Sequence, residues 1–370
     1  MENKRFDLRL KRAIYDIPGR NYGIELLRIV AMIFICVLHV CTRGGVTSHL
    51  SASADPDKYR LAWFFEAVTF CCVDIFGMIA GFVGYKKGLR LRRPLELWLE
   101  LVFYTVLCTL VIYLSAPDKM VENAWFKSVM PVMNGEYWYM TAFFGVLILS
   151  PFLNAAIQKM DLKILGISLS LVMLFFSVLP TVMDASVFGL SSGYSTLWLC
   201  IMYISGGFIA RIKKPKPIFS AAAFVFFAVI CWLLKINGLS SVLKYTSPVV
   251  VAAAASILMT FCEIDIKSSK ARAVIGFISP SMIGIFILHV HTLIWDLLLK
   301  DAAVPFTEDS VFLMGAKILG VAAAIFIGCF AVDLVRRGLF YLFRVNPLLQ
   351  KLERSVVEIF EKKTVSKETG

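Results

Sequence analysis

Charge is scarce in this chain. Asp, Glu, Lys and Arg make up 17% of its 370 residues, against roughly a quarter in soluble domains, so an ordinary water-soluble enzyme is excluded. Histidine is rarer still, with four copies, and neither a CxxC pair nor a Cys/His cluster with zinc spacing occurs. That absence argues against a metal centre, and none is expected. The chain lacks an internal repeat of fixed period and any low-complexity segment, and it leaves little room for a second, water-soluble domain. The first apolar run follows a basic stretch as a signal peptide would. It is a full span long, however, and no small-x-small cleavage site follows it, so it is expected to be retained as a helix.

What the chain does have is apolar length. Hydrophobic residues are 59% of the sequence and mean hydropathy is +0.77. A spanning helix takes roughly 20 residues, and ten such runs can be drawn, at 24–43, 61–84, 95–115, 137–157, 163–180, 194–211, 218–235, 247–263, 274–299 and 311–335. The expected fold is therefore all-α and polytopic, with about ten transmembrane helices. It divides into a basic N-terminal segment (1–23), a ten-helix membrane domain (24–343) and a tail (344–370).

Lys and Arg set the expected orientation. They crowd the N-terminal segment (Lys4, Arg5, Arg9, Lys11, Arg12, Arg20) and alternate loops (Lys86, Lys87, Arg90, Arg92 and Arg93; Lys159 and Lys163; Arg211, Lys213, Lys214 and Lys216; Lys267, Lys270 and Arg272). Loops of the other parity are poor in them. The positive-inside rule then puts both termini in the cytoplasm and the loop from Ala116 to Glu136 outside. The net charge of +12 is accounted for by loops facing anionic membrane lipids, without nucleic acid as a partner. All nine cysteines, Cys36, Cys41, Cys71, Cys72, Cys108, Cys200, Cys231, Cys262 and Cys329, fall in or at the ends of apolar runs and read as packing thiols. In the tail, QKLERSVVEIFEKK suits an amphipathic helix lying on the membrane, whereas TVSKETG reads as disordered.

Ionisable side chains inside the apolar runs mark functional candidates, because hydrocarbon makes them costly. Arg28 and His39 share the first run, eleven residues apart. On a helix that spacing returns to nearly the same face and advances roughly 16 Å. Glu25, three residues before Arg28, is placed to pair with it. The competing reading for Arg28 is snorkelling to the interface, and for His39 a hydrogen bond to a neighbouring helix. Imidazole is nevertheless the side chain best suited to move a proton near neutral pH. Among the other membrane carboxylates, Glu66, Asp74, Glu96, Glu100, Asp296 and Asp333, only Asp74 is expected to face the interior.

ELLRIVAMIFICVLHV resembles the first helix of the integral-membrane acyltransferase 3 family, an Arg and a His with ten residues between them, here Arg28 and His39. VDIFGMIAGFVGYKKGLRLRRP is similar to the family's second helix and following loop, with Asp74, Phe76, Gly81 and Phe82 in place and Arg90 and Arg93 matching its Arg-x-x-Arg element. EYWYMTAFFGVLILSPFLN carries Trp138 and Pro151 as the fourth helix does. SPSMIGIFILHVHTLIW sets His289 where the family has the His of Tyr-Leu-x-His, with Phe286 in place of the tyrosine. Ala80 and Gly77 depart from the usual residues. Members with an extra extracytoplasmic esterase-like domain have a long extension after the tenth helix, and none is expected here.

The resemblance implies a membrane O-acyltransferase of the cell membrane that moves an acyl group, usually acetyl, from cytoplasmic acyl-CoA to a hydroxyl of an exported or lipid-linked cell-surface glycan. Acetyl-CoA or another acyl-CoA would be a co-substrate, with no permanently bound cofactor. Polysaccharide synthesis or export proteins would be its neighbours. In these terms Arg90 and Arg93 suit the phosphates of CoA, or are simply positive-inside charge. His39 suits a general base or an acyl-carrying nucleophile. Arg28 suits the thioester oxygen or the pantetheine arm. His289 and His291, two apart, cannot both face one cavity on a continuous helix, and the resemblance selects His289. Glu136, Tyr137, Trp138 and Tyr139 suit a sugar platform or an aromatic belt. The alternative from another class is a secondary transporter or flippase for a glycan or lipid intermediate, which usually shows two related halves. A purely structural partner of a polysaccharide synthase is a third reading, and it has no need of the Arg28 and His39 pair.

Overall fold

The computed structural model describes residues 19–88, 91–135, 137–185, 187–292 and 295–368; for 357–368 it describes the backbone alone. Lys4, Arg5, Arg9, Lys11, Arg12, Arg90 and Glu136 lie outside the described residues. The described chain is helical, with no strand. The main helices are α1 (Tyr22–Thr42), α2 (Pro56–Thr69), α3 (Cys72–Gly84), α4 (Arg92–Ser115), α5 (Trp138–Lys159), α6 (Leu162–Met173), α7 (Thr196–Arg211), α8 (Pro217–Ile236), α9 (Pro248–Cys262), α10 (Ser269–Ile278), α11 (Met282–Val290), α12 (Val311–Leu342) and α13 (Val345–Glu368).

Every expected run has its helix. Eight helical stretches among the described residues are long and apolar enough to cross a membrane, and two shorter apolar helices, α7 and α9, occupy the remaining runs. The chain is thus an all-α, multi-pass membrane protein. The helix ends follow local chemistry. Asn21 accepts the Ile24 N–H at 3.0 Å, and Asp55, Asp161, Ser195, Ser268 and Ser310 cap α2, α6, α7, α10 and α12 in the same way. Pro56, Pro217 and Pro248 stand at first helical positions, where their missing N–H costs nothing.

Burial ranks the helices by depth. In the apolar window of the Tyr22–His49 stretch 67% of residues are buried, against 11% for Leu162–Val182 and 17% each for α8 and α12. The helix carrying Arg28 and His39 is therefore central, and α6, α8 and α12 turn apolar faces such as Ile164, Phe219 and Phe312 outward, where lipid supplies the contact. Without a hydrophobic drive between helices in lipid, close packing decides which ones touch. At the α3–α7 crossing a Cβ on Gly81 would fall 1.8 Å from the Tyr203 carbonyl oxygen, and one on Gly206 would fall 1.9 Å from that of Met78. Only glycine lets these backbones meet.

Three sequence expectations change. The run 274–299 is not one helix: it tightens at Ser279–Ser281 around Pro280, which has no N–H to give, and leaves helical geometry at His291 (ψ 127°). The end of the tail, expected to be disordered, continues the helix to Glu368, with no Gly or Pro to stop it before Gly370. Its α13 also meets the bundle, since the Arg92 N–H donates to Glu353 Oε1 at 3.1 Å. Finally, Asp74 is not the only interior carboxylate: Asp74 and Asp333 are fully buried, and Glu66 and Glu100 are nearly so. Glu100 and Asp333 face inward because Arg336 joins them across α4 and α12, 3.1 Å from Glu100 and 2.8 Å from Asp333. Tyr104 donates to the same Asp333 oxygen.

Candidate active site

A cavity of about 1760 Å³ runs beside α1, and both Arg28 and His39 line it. Arg28 is held by Glu25 at 2.9 Å, as the three-residue spacing predicts. The same carboxylate also takes Arg20 at 3.0 Å and accepts from Ser279, whose hydroxyl in turn receives Arg20 at 2.9 Å. Two guanidinium groups are thereby fixed around one carboxylate at the start of α1.

Eleven residues on, roughly 16 Å along the axis, His39 Nδ1 lies 2.9 Å from Nε2 of His289. The direction of this bond follows from the next link. His289 Nδ1 lies 2.7 Å from the Ile285 carbonyl oxygen, which can only accept, so Nδ1 donates. In a neutral imidazole Nε2 of His289 then carries the lone pair, and His39 must donate to it from Nδ1. His39 Nε2 is left as the basic nitrogen available to a ligand. The Trp295 ring stands edge-on to His39 at 4.5 Å, and Arg43, itself paired with Asp296, lies over that ring. His289 is thus brought to His39 rather than to the cavity wall. His291 is buried on the non-helical stretch, its ring 6.3 Å from Tyr137. Phe286, in the position where the family pattern has tyrosine, lines the cavity 6.0 Å from His289.

The cavity's other end is cationic. Among its described lining residues there, Arg20, Arg28, Lys87, Arg92 and Arg93 outnumber Glu25, Glu96, Glu100 and Glu353. Glu96 draws Arg92 to 2.9 Å and Arg93 to 3.5 Å, presenting both from the first turn of α4. The loop before α4 is anchored from α5. Asn154 Nδ2 donates to the Lys87 carbonyl at 2.9 Å, Gln158 donates to that of Tyr85 at 2.6 Å, and Tyr203 OH donates to Asn154 Oδ1 at 2.8 Å. Of the remaining candidates, Trp138 lines the cavity. Asp74 does not, and its carboxylate instead accepts the Trp198 indole N–H at 2.9 Å.

Sequence reasoning missed Arg20, Glu96, Glu353, Asn154 and Tyr203. Glu96 had a local signal, its three- and four-residue spacing from Arg93 and Arg92, and Arg20 lies five residues before Glu25; Glu353, Asn154 and Tyr203 meet partners distant in sequence. The sequence model of a family described as an acyltransferase domain matches residues 21–334. No curated protein and no solved structure matches the chain.

Proposed function

The chain belongs to the acyltransferase 3 family, whose domain covers nearly all of it, and is a membrane acyltransferase; from that premise we propose that it transfers an acyl group, acetyl by preference, from acyl-CoA to a hydroxyl of a cell-surface or lipid-linked glycan. We place it in the cell membrane with the Arg93 end of the cavity and both termini in the cytoplasm, in accord with the distribution of Lys and Arg. One observation supports the reading: a single cavity is lined by guanidinium and ammonium groups at one end and at the other by His39, whose ring is oriented by His289 from outside the cavity.

Arg92, Arg93, Lys87 and Arg20 suit the phosphates of CoA, and guanidinium can hold them in two-pronged fashion. From there the pantetheine arm follows α1 past Arg28 to His39. Arg28 lies too far along the axis to reach a thioester at His39, so its role is to hold the donor, not to stabilise the oxyanion. His39 Nε2 takes the proton of the acceptor hydroxyl as the oxygen attacks the thioester carbonyl. The carbon–sulfur bond breaks, the acyl group leaves on the acceptor, and the CoA thiolate recovers the proton from His39. His289 receives the Nδ1–H of the imidazolium and keeps the ring oriented.

The test is acyl transfer by purified wild-type and His39→Ala protein in lipid, normalised to folded protein. Loss of a general base typically costs about 10²- to 10⁴-fold. An acyl group trapped on His39 would instead mark a covalent intermediate. Wild-type turnover by His39→Ala would remove His39 from the chemistry.

A further inference from the structure

Trp138 opens α5, Tyr194 lies two residues before α7, and Tyr245 lies three before α9. These helices all run antiparallel to α1, so their first residues belong to the end of the bundle where His39 stands. Three segments distant in sequence thus bring aromatic rings together, and all three rings line the cavity that His39 lines. Trp138 is 4.5 Å from Tyr194 and 5.9 Å from Tyr245 between ring centroids, and Tyr194 is 5.0 Å from Tyr245. Phe70, at the break between α2 and α3, stacks beneath Tyr245 at 4.8 Å.

We infer that Trp138, Tyr194 and Tyr245 form the acceptor subsite, a recessed aromatic wall on which a pyranose ring of the acceptor stacks. The inference rests on the transferase reading above and names the part of the site that reads the acceptor.

An interfacial aromatic belt does not account for this group. Belt residues face lipid at headgroup level, whereas Tyr245 is 5% exposed and reaches the mid-span break at Phe70. The backbone also supports the arrangement. Gly193 sits at φ 101°, and a Cβ there would fall 2.4 Å from Tyr245 Cβ and 3.2 Å from Trp198 Cδ1. Trp198 is pinned in turn by Asp74, so the buried carboxylate outside the cavity holds the layer behind the wall.

The geometry selects the ligand class. The Trp138 and Tyr245 planes lie within 27° of parallel at 5.9 Å, too close to admit a ligand between them, so the group is a wall and not a cage for a cation. The Trp138 and Tyr245 rings form its nearly parallel part and Tyr194 is tilted 52° to both, so the wall offers apolar ring faces as its main recognition surface. A pyranose matches it by laying its apolar C–H face on the rings.

The experiment uses the full chain in lipid discs with acetyl-CoA, following both free CoA thiol and acylated product. The acceptors are methyl pyranosides of glucose, galactose and N-acetylglucosamine, with glycerol as an open-chain control. Tyr194 is the residue to change, because it is half exposed and its truncation opens no buried core. We expect transfer to at least one pyranoside in preference to glycerol. We expect Tyr194→Ala to raise the KM for that acceptor roughly 3- to 10-fold without raising the KM for acetyl-CoA, and Tyr194→Phe, which keeps the ring, to stay near wild type. An unchanged acceptor KM in Tyr194→Ala, an equal rise in the acetyl-CoA KM, or glycerol accepted as well as any pyranoside overturns the subsite. Thioester hydrolysis without transfer to any pyranoside also overturns it, while sparing the transferase reading. No consumption of acetyl-CoA under any condition removes the acyl-CoA reading, and the subsite falls with it.

Discussion

Nδ1 of His39 and Nε2 of His289, 250 residues apart in sequence, meet at 2.9 Å, and the Ile285 carbonyl beyond them fixes which nitrogen of each carries the proton. A pair of this kind makes one nitrogen basic and buttresses the other. In the mechanism proposed above His289 is a positioning residue that acts through His39.

Rescue tests that role. His289→Ala is expected to cut turnover by about 10-fold or more, less than His39→Ala, because the base is kept but its orientation is lost. His289→Asn, which keeps an acceptor atom, is expected to recover part of the loss, and the KM for acyl-CoA should hold in both. Steady-state kinetics of the three variants in lipid would decide it; Asn behaving no better than Ala would reduce His289 to packing.

At the cationic mouth, replacing Arg90 and Arg93 with Ala should weaken acyl-CoA binding with little loss of folded protein. The described member of the pair is half exposed and its bond to Glu96 is a surface one, worth at most about 1 kcal/mol. Arg28→Lys should also weaken acyl-CoA binding, since an ammonium cannot reproduce the two-pronged contact. Isothermal titration with acyl-CoA measures both, and undiminished affinity would leave these residues as topology signals.

The Glu100, Arg336, Asp333 and Tyr104 cluster predicts a stability effect. Arg336→Met leaves two buried carboxylates without their cation and should cost about 3–5 kcal/mol. Adding Glu100→Gln and Asp333→Asn should return most of that stability, because no uncompensated charge is then buried. Thermal unfolding in detergent compares the single and triple variants, and a single variant as stable as wild type would show the cluster to be dispensable.

Topology is open to direct labelling. In a cysteine-depleted variant, single cysteines placed between 116 and 135 should react with an impermeant thiol reagent from outside intact cells, and one at Lys87 should not. The reverse pattern would invert the orientation and with it the side from which acyl-CoA enters.

The sequence by itself determined the class and most of the spans. Apolar length and hydropathy need no tertiary contact to be read, because the bilayer imposes them one helix at a time. The shared face of Arg28 and His39 and the Glu25 pair were equally legible, since these follow from the period of one helix. The third dimension decided the rest. The bond from His289 to His39 depends on how α11 crosses α1, and the burial of Glu100 beside the Asp333–Arg336 pair depends on α4 meeting α12. The hold of Asn154 on the Lys87 loop and the convergence of Trp138, Tyr194 and Tyr245 join segments that no periodicity relates. In lipid all helix surfaces are similarly apolar, so hydropathy is silent on partners. The choice falls to close fits such as Gly81 against Tyr203 and to the few polar side chains that must find one another.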